Sequence, residues 1–216
     1  MSYQYDVFIS YKRGWRTESW LIQHFLPLFS DCLHNCVYET CGRSADPIFL
    51  DISEISAEVR SDKRLDGYRG IEPGAQWQQA LVQAIGHSRC LLALWSPSYF
   101  YSDWCMKEWE SFHVRGANGV GGVCTPITVC DCEDATTLPS TLGTFEHFRF
   151  NDTYFVGGAL INMAEYVTLQ RLCDQLARSI ARKLKHVTGF QEWPIRMPPQ
   201  IAVTAELGIG QFRLGS

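Results

Sequence analysis

Trp104 and Glu108 offer the clearest chemistry in this sequence. They stand one helical turn apart within the stretch 96–112, which follows an apolar run, and residues at i and i+4 share one face of a helix. An aromatic ring beside a carboxylate suits a flat cationic ring attached to a sugar. A structural role is the alternative, because Trp commonly fills a core and Glu on an amphipathic helix is commonly solvated. We expect the Glu108 side chain to be exposed.

Composition predicts a folded domain with a short appendage rather than a nucleic-acid binder. The chain has 216 residues, of which 46% are hydrophobic and 13% aromatic, enough to bury a sizeable core. Lys and Arg total 19 against 23 Asp and Glu, so the formal net charge is -4. Without a basic block, the electrostatic footprint of a nucleic-acid partner is absent.

The sequence also argues against membrane insertion, secretion and a metal centre. No apolar run approaches the ~18 residues that a membrane helix needs, and residues 1–6 do not resemble a signal peptide. The nine cysteines are scattered and odd in number, which favours reduced thiols and a cytoplasmic location. They lack CxxC spacing, so we predict no metal site, and no cofactor is predicted.

Apolar runs alternate with helical spacings along the chain. The apolar runs predict five buried strands: Tyr5–Tyr11, Pro47–Asp51, Arg89–Trp95, Val123–Val129 and His147–Phe150. The helical spacings predict helices around Trp20–Leu28, Gln76–Ile85, Ser102–Val114 and Leu169–Leu184. This alternation predicts an α/β fold in which a five-stranded parallel sheet carries helices on both faces.

Four features interrupt this pattern. Pro27 removes a helical hydrogen-bond donor, so the helix around it should be kinked or split. Pro126 predicts an irregular or edge position in the fourth strand. Residues 52–74 form a long polar connection that is either functional or mobile. A domain over residues 1–188 is followed by residues 189–216, which read as an extended tail or linker.

The carboxyl edge of the predicted sheet gathers the polar residues. Ligands of parallel α/β sheets bind beyond the carboxyl ends of the strands, and there the sequence places Ser10–Arg13, Asp51 and the stretch 96–108. No GxGxxG follows the first strand and no GxxxxGK[ST] occurs. A nucleotide- or flavin-binding protein of this fold is therefore a weaker interpretation.

These residues resemble a Toll/interleukin-1 receptor (TIR) domain. Tyr5–Tyr11, reading YDVFISY, resembles the family's first box, and Glu72–Gly74 resembles the Pro-Gly at the end of its second-box loop. Trp104–Glu108, reading WCMKE, is similar to the W-C-x-x-E of the NAD-cleaving members, whose Glu is catalytic. The resemblance extends over residues 3–188, with a second-box loop longer than usual.

The resemblance implies a flavodoxin-like fold and cleavage of the nicotinamide–ribose bond of NAD. It further implies a prokaryotic or plant-like defence effector in which NAD is the substrate and other TIR domains are partners in self-assembly. The product, ADP-ribose or a cyclised isomer, stays open. A non-catalytic TIR adaptor is the alternative, because an adaptor needs interaction surfaces but no carboxylate at Glu108.

One carboxylate is sufficient for this reaction. Most glycosidases need two, because a neutral leaving oxygen must be protonated, whereas the nicotinamide of NAD is a cationic ring that leaves neutral. Glu108 would hold the ribose hydroxyls and stabilise the oxocarbenium charge that develops in the transition state.

The predicted substrate-binding residues surround this carboxylate. Trp104 is expected to stack on a ring of the dinucleotide, and Lys12 or Arg13 to meet the pyrophosphate, with a solvated turn as the alternative for the basic pair. Ser102 is either a pocket hydroxyl or the N-cap of its helix, and Tyr99 is either a site residue or a core aromatic. The other predicted contacts are Ser10, Tyr11, Asp51 and Ser96.

Overall fold

A parallel sheet of six strands organises the chain. The computed structural model describes residues 1–51, 68–71, 76–117, 123–129, 147–154, 163–187 and 189–198. The strands are β1 (Tyr5–Tyr11), β2 (Ile48–Leu50), β3 (Tyr68–Arg69), β4 (Ser88–Trp95), β5 (Val123–Thr128) and β6 (Phe148–Arg149). Their order across the sheet is β3-β2-β1-β4-β5-β6, with every neighbouring pair parallel.

The five predicted strands are all present, and β3 is the addition. It lies at the edge of the sheet and has two residues, too few to leave a periodic signal in the sequence. Without β3, the order of the remaining strands is that of the flavodoxin-like α/β fold. The predicted fold class is therefore confirmed, with one more strand than expected.

Helices cover both faces of this sheet. They are α1 (Trp15–Trp20), α2 (Leu26–Cys41), α3 (Trp77–Gly86), α4 (Pro97–Phe100), α5 (Asp103–Ala117) and α6 (Met163–Leu184). Each predicted helix corresponds to one of these or, around Pro27, to the pair α1 and α2. The short helix α4, a single turn after β4, was not predicted.

Two apolar cores form because successive strand residues face opposite sides of the sheet. Val7 and Ile9 of β1 belong to the core beneath α1, α2 and α6. Phe8 belongs to the core beneath α3, α4 and α5. Burial of both faces explains why the central strands read as continuous apolar runs. It also aims Ser10, two residues after Phe8, at the side of the sheet that carries α5.

The predicted disturbance at Pro27 takes the form of a π-helical turn. This turn spans Leu21–Phe25 and joins α1 to α2. Pro27 then lies in the first turn of α2, where the missing N–H breaks no regular helical bond. Phe25 and Leu26 are fully buried, so the chain stays packed on the sheet through the change.

Pro126 occupies the edge position that the sequence predicts. β5 pairs with β4 along its whole length, from Val123 to Thr128. On the other side β6 pairs only with Ile127 and Thr128. Within the described strands, β5 therefore has a neighbour on one side only at Pro126, where a proline can be accommodated.

Residues 189–198 run in an extended path across the face of the domain formed by α3 and α5. The Arg115 guanidinium of α5 lies 3.8 Å from the centre of the Trp193 ring. The backbone N–H of Arg196 donates to Ser111 Oγ at 2.8 Å. The first part of the predicted tail thus packs on the domain, while a domain boundary at residue 188 stays a prediction.

We predict that Trp193→Ala lowers the Tm. The substitution removes the ring that covers the buried Arg115 guanidinium. A desolvated cation–π contact is worth about 2 kcal/mol, which shifts the Tm of a chain of this size by about 4–8 °C. Thermal unfolding followed by circular dichroism measures the shift. The control is Trp15→Ala, whose ring is 72% exposed; equal melting of the two variants would show that this packing adds no stability.

Candidate active site

A cavity of about 180 Å³ opens at the carboxyl edge of the sheet. It lies where β1 has β2 on one side and β4 on the other, the position at which doubly wound sheets bind ligands. Its lining residues are Tyr11, Lys12, Arg13, Asp51, Trp77, Ser102, Trp104, Cys105 and Glu108. Seven of these nine belong to the set predicted from the sequence.

Glu108 occupies the sheet-facing side of α5. Its neighbours on this side, Cys105 and Phe112, are buried at helical spacing, and Glu108 itself is only 8% exposed. The expectation of an exposed carboxylate is therefore wrong. The i, i+4 spacing correctly placed Trp104 and Glu108 on one face, but that face packs on the sheet instead of facing water.

The carboxyl of Glu108 is held from the sheet side by two hydroxyls in series. Ser10 Oγ donates to Glu108 Oε2 at 2.5 Å and lies 2.9 Å from the hydroxyl of Tyr99. The Tyr99 hydroxyl in turn donates to the carbonyl oxygen of Cys105 at 3.1 Å. The side alternation of β1 aims Ser10 at this face, and the turn of α4 brings Tyr99 beneath α5.

This environment changes the acidity of Glu108. Its pKa is raised from 4.5 to about 8, above all by burial, while the hydrogen bond from Ser10 opposes the rise. Smaller contributions come from the charge of Asp51, which raises the pKa, and that of Arg13, which lowers it. A carboxyl with this pKa changes its charge readily when a cation enters the cavity.

Asp51 organises the opposite wall. Its Oδ2 accepts a hydrogen bond from Trp77 Nε1 at 2.7 Å and forms an ion pair with Arg13. The Arg13 guanidinium lies 5.5 Å from the centre of the Trp77 ring. Trp77 meets the Trp104 ring edge-on, with 4.5 Å between ring centres. Arg13 is thus committed to Asp51, whereas Lys12 lines the cavity with an exposed side chain.

Three of the predicted substrate-binding residues lie behind the cavity instead of lining it. Ser10 and Tyr99 are 1% and 0% exposed and contact each other. Ser96 Oγ accepts a hydrogen bond from the backbone N–H of Tyr99 at 3.2 Å and so caps α4. Ser102 does line the cavity, and its carbonyl accepts from the N–H of Met106 at the start of α5.

Sequence reasoning missed two lining residues, Trp77 and Cys105. Trp77 fits the apolar face of its helix, and the signal that could have found it is its position in the first turn of that helix. Burial, together with the charge of Glu108, raises the pKa of the Cys105 thiol to about 12. The thiol therefore stays protonated and is no nucleophile.

The described ranges contain neither a cluster of metal ligands nor a membrane-spanning helix. There, no group of three His, Cys, Asp or Glu side chains is arranged to hold a metal ion. No helix in those ranges is long and apolar enough to cross a membrane. The seven cysteines that fall within them are all free.

The TIR domain family model matches residues 58–157 of the chain. Over this range, which is less than half of the chain, the sequence is similar to TIR domains, and the range contains the box at Trp104–Glu108. The matched range begins within the long connection and includes both tryptophans of the cavity and Glu108. No curated protein matches the chain significantly.

Two solved structures are distantly similar to the chain. One is the TIR domain of the Toll-related receptor TRR-2 from Hydra magnipapillata, at 19% identity and a TM-score of 0.38, covering 68% of this chain and 84% of that one. The other comprises the TIR domains of the activated Roq1 resistosome, which directly recognises the pathogen effector XopQ, at 19% identity and a TM-score of 0.34, covering 86% of each chain.

We predict that Glu108→Gln gains stability relative to the wild type as the pH rises from about 5 to 8. The unfolded carboxyl releases its proton near pH 4.5, whereas the folded one keeps it to about pH 8. The folded wild type binds more protons across this window, so its stability falls as the pH rises. Gln cannot ionise, so the variant escapes this loss.

Thermal unfolding of both proteins from about pH 4.5 to 9 measures the effect. The control is Glu192→Gln, which makes the same change at an exposed position. A Tm difference between wild type and Glu108→Gln that stays constant across the window would contradict the raised pKa of Glu108.

Proposed function

We propose that this chain cleaves the nicotinamide–ribose bond of NAD, as a TIR-domain NAD glycohydrolase. One observation carries the proposal: the Glu108 carboxyl borders a cavity at the carboxyl edge of the sheet, and two tryptophans and a basic loop line the same cavity. A buried carboxyl in a cleft, with a pKa moved toward neutrality, is typical of a catalytic group. The chemistry of NAD explains how this arrangement would work.

The ionised form of Glu108 would be the working form. As the bond to nicotinamide breaks, positive charge moves from the pyridinium ring to the ribose, and a nearby carboxylate stabilises it there. The low-dielectric position of Glu108, 8% exposed, strengthens this interaction relative to water. Nicotinamide leaves as a neutral ring and so needs no proton from the protein.

Binding of NAD would itself favour ionisation of the carboxyl. An opposite charge within about 4–6 Å stabilises a carboxylate, and the pyridinium ring supplies that charge. In the free cavity, burial and, to a smaller extent, the charge of Asp51 oppose ionisation of Glu108. The site therefore holds its carboxyl largely neutral at pH 7 until the cationic ring enters.

The tryptophans and the basic loop would bind the rest of the dinucleotide. Trp77 and Trp104 meet edge-on, and both half-buried rings line the cavity, so nicotinamide or adenine would stack on one of them. Lys12 is the cation available for the pyrophosphate, because Arg13 pairs with Asp51. Asp51 holds both Arg13 and the Trp77 N–H, so its role in this proposal is to fix the wall.

We place this activity in cytoplasmic immune or antiviral defence, with activation by self-assembly. TIR-to-TIR contacts through the second-box loop are part of the resemblance, and the length of the connection 52–74 supports them. Most of that connection, residues 52–67 and 72–74, lies outside the described residues. ADP-ribose and a cyclised isomer are both consistent with the site.

A non-catalytic TIR adaptor is the second candidate. The observation that favours it is the bond from Ser10 to Glu108, since a buried carboxyl held in this way also serves as a structural contact. In an adaptor, the Glu108→Gln substitution would leave self-assembly unchanged. The activity of Glu108→Gln therefore separates the two candidates.

We predict that Glu108→Gln lowers the rate of nicotinamide release by about 10²–10³, the typical effect of removing one electrostatic group. Chromatography of the reaction of purified protein with NAD measures the rate. The control is Glu110→Gln, two residues along the same helix, where the carboxylate pairs with Lys107 away from the cavity. Equal rates for wild type and Glu108→Gln would contradict the catalytic assignment.

We predict that specific activity rises with protein concentration if assembly completes the site. Dilution would then lower turnover per molecule, and light scattering reports the oligomeric state alongside. Shortening the connection between residues 56 and 66 should lower activity without unfolding the sheet, since it spares Tyr68, which is buried and donates to the Leu26 carbonyl at 2.5 Å. A monomer with constant specific activity would refute the assembly requirement.

A further inference from the structure

A chain of oxygen atoms runs from the cavity into the core behind Glu108. Glu108 Oε2 lies 2.5 Å from Ser10 Oγ, which lies 2.9 Å from Tyr99 Oη, which lies 3.1 Å from the Cys105 carbonyl oxygen. Ser10 is 1% exposed and Tyr99 is 0% exposed. Bulk water is therefore kept from the middle of this chain.

The contacts outnumber the protons of the two hydroxyls. Three contacts need one proton each, while Ser10 and Tyr99 supply one proton apiece. When Glu108 is ionised, Ser10 donates to it, and Tyr99 donates either to Ser10 or to the Cys105 carbonyl. When Glu108 is protonated on Oε2, it donates to Ser10, Ser10 donates to Tyr99, and Tyr99 donates to the carbonyl. Only the protonated state makes all three contacts.

We propose that Ser10 and Tyr99 are positioning residues that hold Glu108 and bias its charge in opposite directions through the order of their hydroxyl protons. Ser10 favours the carboxylate, because a hydrogen bond donated to a charged group is stronger than one to a neutral group. Tyr99 favours the neutral carboxyl, because it accepts the Ser10 proton that would otherwise be a buried donor without a partner. The catalytic use of this device rests on the proposed NAD cleavage.

Other groups around Glu108 also act on its charge. Those that lie along the cavity or interact with it electrostatically are Tyr11, Lys12, Arg13, Asp51 and Cys105. None of these residues is itself substituted in the Ser10 and Tyr99 variants. A change in the titration of Glu108 in those two variants therefore reports the hydroxyl chain.

The test is a carbon-13 NMR titration of the side-chain carboxyls in protein labelled at glutamate, with the Glu108 signal assigned by its loss in Glu108→Gln. Ser10→Ala should raise the pKa of Glu108 by about one pH unit, and Tyr99→Phe should lower it by a similar amount, since one pH unit corresponds to the difference between a charged and a neutral hydrogen bond. Ser10→Thr keeps the hydroxyl and should restore the wild-type value.

Tyr68→Phe is the matched control. It removes one buried hydroxyl that donates to a backbone carbonyl, that of Leu26, so it should lower the Tm and leave the Glu108 titration unchanged. The acid limb of the pH profile of kcat/KM for NAD, which reports the free enzyme, should move with the NMR values, to higher pH in Ser10→Ala and lower pH in Tyr99→Phe.

Shifts in the same direction, or no shift in either variant, would overturn the proposal. If Tyr99→Phe does not fold, the comparison of Ser10→Ala with Ser10→Thr decides, because equal pKa values in that pair would overturn it. Opposite NMR shifts in a protein that does not cleave NAD would overturn the proposed function and leave the ordering of the hydroxyl protons supported.

Discussion

The hydrogen bond between Ser10 and Glu108, made across the interface of β1 and α5, is the contact on which the site depends. A carboxyl turned toward a sheet is unfavourable unless a donor meets it. β1 provides that donor because its alternation places Ser10 on the same face as Phe8, directly beneath the helix. Burial also raises the pKa of Glu108 to about 8. The charge of Glu108 therefore responds to a charged group that enters the cavity.

The two walls of the cavity differ in how their carboxylates are compensated. Asp51 Oδ2 already has strong partners, since it accepts from Trp77 and pairs with Arg13. Glu108 accepts from a neutral hydroxyl, that of Ser10, so a cation that enters the cavity interacts with Glu108 without displacing another cation. This asymmetry suits a substrate that brings its own positive charge, and under the proposed function Asp51 would have the structural role and Glu108 the chemical one.

The strands and the catalytic candidate could be predicted from residue patterns. The burial of the Glu108 side chain and the tertiary contacts of the site could not. Continuous apolar runs predict β1 and β4 because both of their faces are covered, and i, i+4 spacing pairs Trp104 with Glu108. Periodicity does not say which side of a helix meets the sheet, so the burial of Glu108 was missed. The contact of Trp77 with Asp51 joins residues far apart in sequence and depends on tertiary packing, which no local pattern encodes.

The most direct test of this account is proton NMR of NAD incubated with the purified chain above pH 8, where Glu108 is ionised before substrate binds. The account predicts that the NAD signals decline while free nicotinamide and one ADP-ribosyl product appear in equal amounts. The rate of nicotinamide release should be far lower when the Glu108→Gln variant replaces the wild type at the same concentration. The experiment is repeated at several protein concentrations. NAD that stays intact at all of them, in samples shown to be folded and assembled, would contradict the account.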